Sequence, residues 1–303
     1  MSEKLHTNVA KRHDFVLLFD VLDGNPNGDP DNDNLPRTDP ETGQGIVTDV
    51  CLKRKIRDFI SVVKEGEPGF RIYIQKRDIA LNAKHEHAYA ELELTTTGTK
   101  QKKEDVEKAQ KWMCEQFYDV RTFGAVMTTG VNCGQVRGPF QLTFARSIDR
   151  VFSHDITITR VAITKKEDAQ VVVGEDEKTK GKQTEMGRKA FIPYGLYMAH
   201  GFFNPMLAEG TGFDDDDLKL FWEAIVNMFE LDRSASRGMM AMRGLHVFTH
   251  ESKFGNASAH KLFERISIEL KDPSIVPRKF DDYKVFVDST DLPEGVGLTT
   301  IIG

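Results

Sequence analysis

Apolar residues recur at helical spacing in two stretches of this chain: Leu52, Ile56, Phe59, Ile60 and Val63, and again Leu218, Phe221, Trp222, Ile225 and Phe229. Each set covers one side of a helix and must find a core to face. Strand-like runs bracket both. DFVLLFDVL from Asp14 precedes the first helix and an alternating run from Phe70 to Ile74 follows it. An apolar, aromatic run from Ala190 to Phe203, bent at Pro193 and Gly195, precedes the second, and Arg243 to His250 follows. Strand, helix and strand, early and late, predict an α+β chain with a split βαβ or ferredoxin-like sheet and long insertions. That is the layout of an RNA-recognition motif, without its aromatic signature. The run TGFDDDD puts carboxylates at the start of the second helix, where the helix dipole favours them, so it reads as capping rather than catalysis.

The first helix also carries Lys53, Arg54 and Arg57 on the flank of its stripe. Lys53 and Arg57 lie one turn apart, two cations across which a phosphate backbone could lie. A solvated basic face is the other reading. In the loop before it, DGNPNG from Asp23 and DPDNDN from Asp29 start like calcium loops. Both fail, because Asn34 and Pro40 stand where a bidentate Glu is needed. Pro26, Pro30, Pro36 and Pro40 with Gly24 and Gly28 describe a rigid turn-rich loop. The same loop leaves open a metal-dependent nuclease built on Asp29, Asp31 or Asp33.

Beyond the first helix, His85 and His87 lie in a polar stretch and read as solvated loop histidines. Val106, Ala109, Met113 and Phe117 mark another amphipathic helix from Glu104 to Phe117. The segment YDVRTFGAVMTTGVNCGQVRGPFQLTFARSID sets Gly124, Gly130, Gly134 and Gly138 among Arg121, Arg137 and Arg146, so backbone can approach a ligand closely there and arginine can meet phosphate. No dinucleotide or P-loop pattern occurs, and no cofactor is expected. Strand patterns run from Gln141 to Ile148 and from Ile156. Lys165 to Lys189 is a polar insertion ending in Lys178, Lys180, Lys182, Arg188 and Lys189 around Met186. It reads as a charged loop or as a basic hairpin tipped by an apolar wedge. Arg233, Arg237 and Arg243 cluster near Gly238 and Gly244. A last strand spans Leu262 to Leu270, and the tail from Lys271 is an extension, packed or mobile.

A net charge of −6 argues against an indiscriminate nucleic-acid binder, so any such binding must use segregated charge. Cys51, Cys114 and Cys133 have neither zinc-site spacing nor a disulfide framework, and a reducing cytoplasm is the expected setting. No apolar run reaches the ~20 residues that span a bilayer, so no membrane partner is expected.

Taken in order, GNPNGDPDNDNLPR with VTDVCLKRKIR, DVRTFGAVM with GQVRGPFQLTFARSID, and IPYGLY with DRSASRG and GNASAHKLFE resemble the backbone subunit of type I-C CRISPR Cascade, of the seventh Cas protein family and the RAMP superfamily. The resemblance runs from about Asp14 to Leu270. It implies a hand-shaped protein of antiviral defence: one palm domain over residues 1–270, helical fingers at about 77–120, a thumb-like β-hairpin at about 165–189, and a C-terminal extension over 271–303. Copies would stack head to tail along a CRISPR RNA as an open helical filament. The guide would stay available to pair with target DNA, beside the crRNA-processing endonuclease and the large and small subunits. On this chain the resemblance implies RNA contacts from Lys53, Arg54, Arg57, Arg121, Asn132, Gln135, Arg137, Arg146, Arg233 and Arg237, and thumb contacts from Met186, Arg188 and Lys189. It implies no enzyme and no metal site. The competing class is an RNA endonuclease of the type III backbone kind, cutting through Asp29, Asp31 or Asp33.

Overall fold

The computed structural model of the chain describes residues 5–76, 79–95, 101–164, 173–174, 177–178 and 184–303. It opens with β1 (His13–Gly24), the short loop strands β2 (Gly28–Asp29) and β3 (Leu35–Pro36), β4 (Gln44–Val47) and α1 (Asp49–Val63). Three helices follow, α2 (Leu81–Glu91), α3 (Lys103–Gln116) and α4 (Tyr118–Phe123), then the hairpin β5 (Gly124–Val126) and β6 (Gln135–Arg137). Next come β7 (Phe140–Leu142), β8 (Ala145–Arg150), β9 (His154–Arg160), β10 (Val173–Gly174), β11 (Glu177–Lys178) and the long β12 (Glu185–Phe203). The chain ends with α5 (Pro205–Thr211), α6 (Asp215–Leu231), β13 (Met239–His250), α7 (Ala259–Phe263), β14 (Ile266–Leu270), β15 (Tyr283–Val287) and β16 (Val296–Ile302).

The main sheet runs β16-β13-β1-β12-β8-β4, every neighbour antiparallel. Within it, β1–α1–β8 and β12–α6–β13 are two interleaved βαβ units, the split arrangement that the paired stripes predict. β1 is central and nearly continuous in apolar residues because both its faces are covered. Phe15, Leu17, Phe19 and Val21 meet α1 and α6, whereas Val16 and Leu18 meet a second cluster on the opposite face. Burying each such side chain is worth about 1.5–3 kcal/mol. Gly201 makes one crossing possible, since a Cβ there would lie 2.0 Å from the Phe15 ring. α1 begins where the Thr48 side chain accepts the Cys51 N–H at 3.3 Å. α6 begins with a capping box, the Asp214 carboxylate taking the Asp216 and Asp217 N–H groups at 3.0 and 2.9 Å.

Three local expectations are corrected. Phe70 to Ile74 forms no strand, only a bridge from Arg71 to Phe117, because its backbone N–H groups at Tyr73 and Ile74 go to the Asp119 carboxylate at 2.7 and 3.1 Å. His85 is not a solvated loop residue but buried on α2, where its Nε2 and the Tyr73 hydroxyl are 2.8 Å apart. The strand expected from Leu262 starts only at Ile266, after the short helix α7.

The tail is packed. β15 pairs with β14 and β16 adds an edge strand to β13. Leu262, Ile266 and Val296 close over Val16, Leu18 and Phe248, and Tyr283 over Tyr194 and Leu196. In an RNA-recognition motif the sheet face away from the helices carries stacking aromatics; here that face is sheathed by the chain's own C-terminal elements. A separate cluster, with Tyr73, Tyr89, Met113, Phe117 and Cys133, holds α2, α3 and the β5–β6 hairpin together. Of the finger range, residues 77–78 and 96–100 lie outside the described residues.

Candidate nucleic-acid interface

The flank of α1 packs against α4. Lys53 Nζ lies 3.0 Å from Asp49 Oδ2 and 5.6 Å from the Phe123 ring centre. Arg57 Nε donates to Asp119 Oδ2 at 2.8 Å, and its guanidinium lies 5.1 Å over the same ring. The two cations do stand beside each other, but their side chains are only 13% and 11% exposed. Arg54, at 3.9 Å from Asp232, is more open. Asp232 also receives the buried Lys55, whose ammonium is pulled down to about 7 by burial. Lys55 was legible: it sits three residues after Leu52 and four before Phe59, inside the apolar stripe.

Arg121 is a correction. Its guanidinium is buried, bidentate to Asp217 at 2.7 and 2.7 Å, with a further bond to the Gly69 carbonyl. Its bonds run to protein groups and little of it reaches solvent, and this pair ties α4 to α6. Asp217 thus does more than cap its helix.

The glycine-rich segment is likewise directed inward. Gly124 has φ +80°, and a Cβ there would lie 2.3 Å from the Val136 carbonyl oxygen; one on Gly138 would lie 2.4 Å from that of Thr122. The glycines let two passes of this chain touch each other rather than a ligand. Asn132 braces the turn, its Oδ1 accepting the Gly134 N–H at 2.8 Å and its carbonyl the Tyr89 hydroxyl at 2.7 Å. Gln135 and Arg137 are exposed on β6, and Arg137 has no side-chain partner among the described residues.

A third group gathers where β1 leaves the sheet. Arg237 donates to the Asn25 and Pro26 carbonyls at 2.9 and 2.9 Å and lies 3.6 Å from Asp232, so it fixes the start of the aspartate loop. Arg243, with about a third of its side chain exposed, donates to Asp20 at 2.8 Å. Arg233 is exposed and pairs with Glu230. Arg146, also exposed, donates to Asp39 at 2.8 Å and holds that carboxyl below the usual range. In the loop itself Asp29 pairs with Arg37 at 3.1 Å, while Asp31 and Asp33 are exposed, Asp33 in the left-handed region with φ 46°. Among the described residues no three His, Cys, Asp or Glu side chains are close enough to share a metal ion.

Beyond the sheet, β9 pairs with Glu185–Phe191 of β12 as a two-stranded ribbon. The ribbon starts at His154 and overlaps the expected thumb range, 165–189, at residues 185–189. The rest of the expected thumb, 165–172, 175–176 and 179–183, lies outside the described residues. Met186 stands opposite Thr159 and is 76% exposed. Arg188 is exposed and 3.3 Å from Asp155; Lys189 is half-buried opposite Ile156. All three cysteines are buried and free, and burial pushes the Cys114 and Cys133 thiols up to about 11 and about 12. Among the described residues no helix is long and apolar enough to cross a membrane.

The family model of the CRISPR-associated protein Cas7 matches residues 11–288. A curated relative, the CRISPR-associated protein Cas7 of Haloferax volcanii, is 28% identical over 240 residues, which is 71% of this chain and 64% of the relative, so the chain spans less than two thirds of that protein. A chain of a CRISPR RNA-guided surveillance complex in a pre-nicking state superposes with TM-score 0.46 at 12% identity, over 78% of this chain and 78% of that one. A chain of a second CRISPR RNA-guided surveillance complex gives 0.43 at 15%, over 78% and 68%. The family match continues past Leu270 to residue 288 and so takes in β15, part of the tail that the resemblance had left outside. Matched over residues 11–288 of its 303, the chain belongs to the Cas7 family of CRISPR-associated proteins.

Proposed function

We propose that the chain is the non-catalytic backbone subunit of a type I-C CRISPR surveillance complex, stacking head to tail along CRISPR RNA in the cytoplasm and presenting the guide to target DNA. The crRNA-processing endonuclease and the large and small subunits are its further partners. The observation that carries this reading is family membership across nearly the whole chain. The arrangement of charge supports it. Arg137, Arg146, Arg188 and Arg233 are exposed on a protein of net charge −6, which suits a threaded strand held by summed phosphate contacts. In this reading Arg54, Gln135 and Lys189 join them, and Lys53, Arg57 and Arg237 contribute the N–H donors their internal partners leave unused. Asn132 shapes the turn that presents Gln135. The β9–β12 ribbon serves as the thumb, with Met186 as an apolar wedge. The sheathed sheet face leaves sequence reading to the guide.

Sizing the chain on single-stranded RNAs of increasing length tests this. The expected result is a mass that rises in steps of one subunit as the RNA lengthens, whatever its sequence. One copy per RNA at every length would refute the stacking.

A further inference from the structure

Most arginines described above have a carboxylate partner. Arg137, Arg150 and Arg278 have no side-chain partner among the described residues, and two of these three line the same cleft. The cleft opens where the tail segment 276–278 crosses between the end of β8 and the base of the β9–β12 ribbon. Its walls carry Phe152, 69% exposed, and His154, whose ring stacks on Phe191 at 5.6 Å. Tyr194 and Asp149 complete it, the Asp149 carboxylate accepting the Tyr283 hydroxyl at 2.7 Å. Arg278 is held in place through its own backbone, its N–H donating to Asp282 Oδ2 at 2.8 Å, so the turn is fixed while the guanidinium is left open.

We infer that this cleft binds one nucleotide of a single-stranded RNA, with phosphate between Arg150 and Arg278 and the base against Phe152. Two unpaired guanidinium groups suit an anion, and an exposed ring beside them suits a base with a π face. Asp149 sharpens the choice. A carboxylate repels phosphate but accepts a hydroxyl proton, and a ribose offers a 2′-hydroxyl where deoxyribose offers none. The C-terminal tail is then part of the binding site, because Arg278 comes from it. The inference deepens the RNA-binding reading above and rests on it.

The experiment uses the full chain with a fluorescein-labelled single-stranded RNA and the DNA of the same sequence. Affinity is read by anisotropy across a salt series, and contact is read by ultraviolet crosslinking with mass spectrometry. Expected are a crosslinked peptide containing Phe152 and tighter binding of RNA than DNA. Arg150→Ala with Arg278→Ala should reduce the log-log salt slope by about 1.4, at about 0.7 per contact on a single strand. Phe152→Ala should weaken binding about tenfold at an unchanged slope. Asp149→Asn should leave RNA bound while narrowing its preference over DNA. RNA bound and crosslinked elsewhere, with an unchanged slope in the double variant, overturns this cleft and spares the RNA-binding reading. A folded wild type that binds no RNA at any salt overturns both. A labelled polyglutamate peptide that binds the cleft while RNA does not would make it a site for acidic protein segments instead.

Discussion

The cations between the helices and those on the ribbon and sheet edges look alike in sequence and behave differently in the fold. Between the helices, Arg57 meets Asp119, Arg121 meets Asp217 and Lys55 meets Asp232, each cation at least largely shielded from water. On the outer edges, Arg146 and Arg188 have partners but stay open, while Arg137, Arg150 and Arg278 have none among the described residues. An arginine desolvated against a carboxylate has a structural role whatever its remaining N–H groups reach, because removing either partner strands a buried charge. An exposed one costs little to hold and remains available to a phosphate. A basic motif alone does not distinguish the two. The partner does.

The sharpest test of this contrast is Arg121→Met. It should destabilise the fold by about 3–5 kcal/mol in urea unfolding, since Asp217 would be left buried without its bidentate partner. Adding Asp217→Leu should recover part of the loss. A variant as stable as wild type with weakened RNA binding would return Arg121 to the RNA-facing group.

His13 gives the buried side a pH signature. Its Nε2 donates to the Asn8 carbonyl at 2.9 Å and its Nδ1 lies 3.0 Å from the Thr249 hydroxyl, so the neutral ring is satisfied. Burial pulls its pKa down to about 4 from 6.5. Between those values the unfolded chain binds more protons than the folded one, so stability is full above about 6.5 and falls as pH drops toward 4. The loss amounts to on the order of 3 kcal/mol. Unfolding measured from pH 7 down to 4.5 should show this slope, flattened in His13→Gln. An equal slope in both proteins would assign the acid sensitivity to other groups.

Removing an outer cation should do the reverse. Arg137→Ala and Arg188→Ala are each expected to leave stability within about 0.5 kcal/mol of wild type, yet lower the RNA salt slope by about 0.7. A stability loss matching that of Arg121→Met would erase the distinction.

What could be read in the sequence follows the same line. The two apolar stripes gave the palm, because periodicity reports which side of a helix is buried and the strands around it follow. The tail was left open between packed and mobile because β15 and β16 draw their meaning from β14 and β13, partners that local pattern does not name. Arg121 was misassigned for a related reason. Its partner Asp217 lies far along the chain, in an acidic run already explained by capping. Arg150 had a signal in its alternation with Arg146 along β8, but an unpaired arginine is recognised only once the surrounding carboxylates are placed.

The smallest effect is expected in the loop, where both kinds of charge meet at the surface. Asp29 pairs with Arg37 and accepts the Asp31 N–H at 3.3 Å, while Asp33 and Asn34 both hold positive φ, at 46° and 59°. Asn adopts that conformation readily and keeps one acceptor oxygen, so Asp29→Asn, Asp31→Asn and Asp33→Asn together should preserve the turn. Loss of the partly exposed Asp29–Arg37 pair should cost about 1 kcal/mol or less. RNA should bind the triple variant as well as wild type or slightly better, because three carboxylates no longer oppose the phosphates. With magnesium and a complementary RNA, neither protein should cut, and gel analysis of labelled RNA decides it. Regular cuts by wild type that vanish in the triple variant would make the loop a nuclease centre, and the carboxylates at this edge would be catalytic rather than partners of the turn.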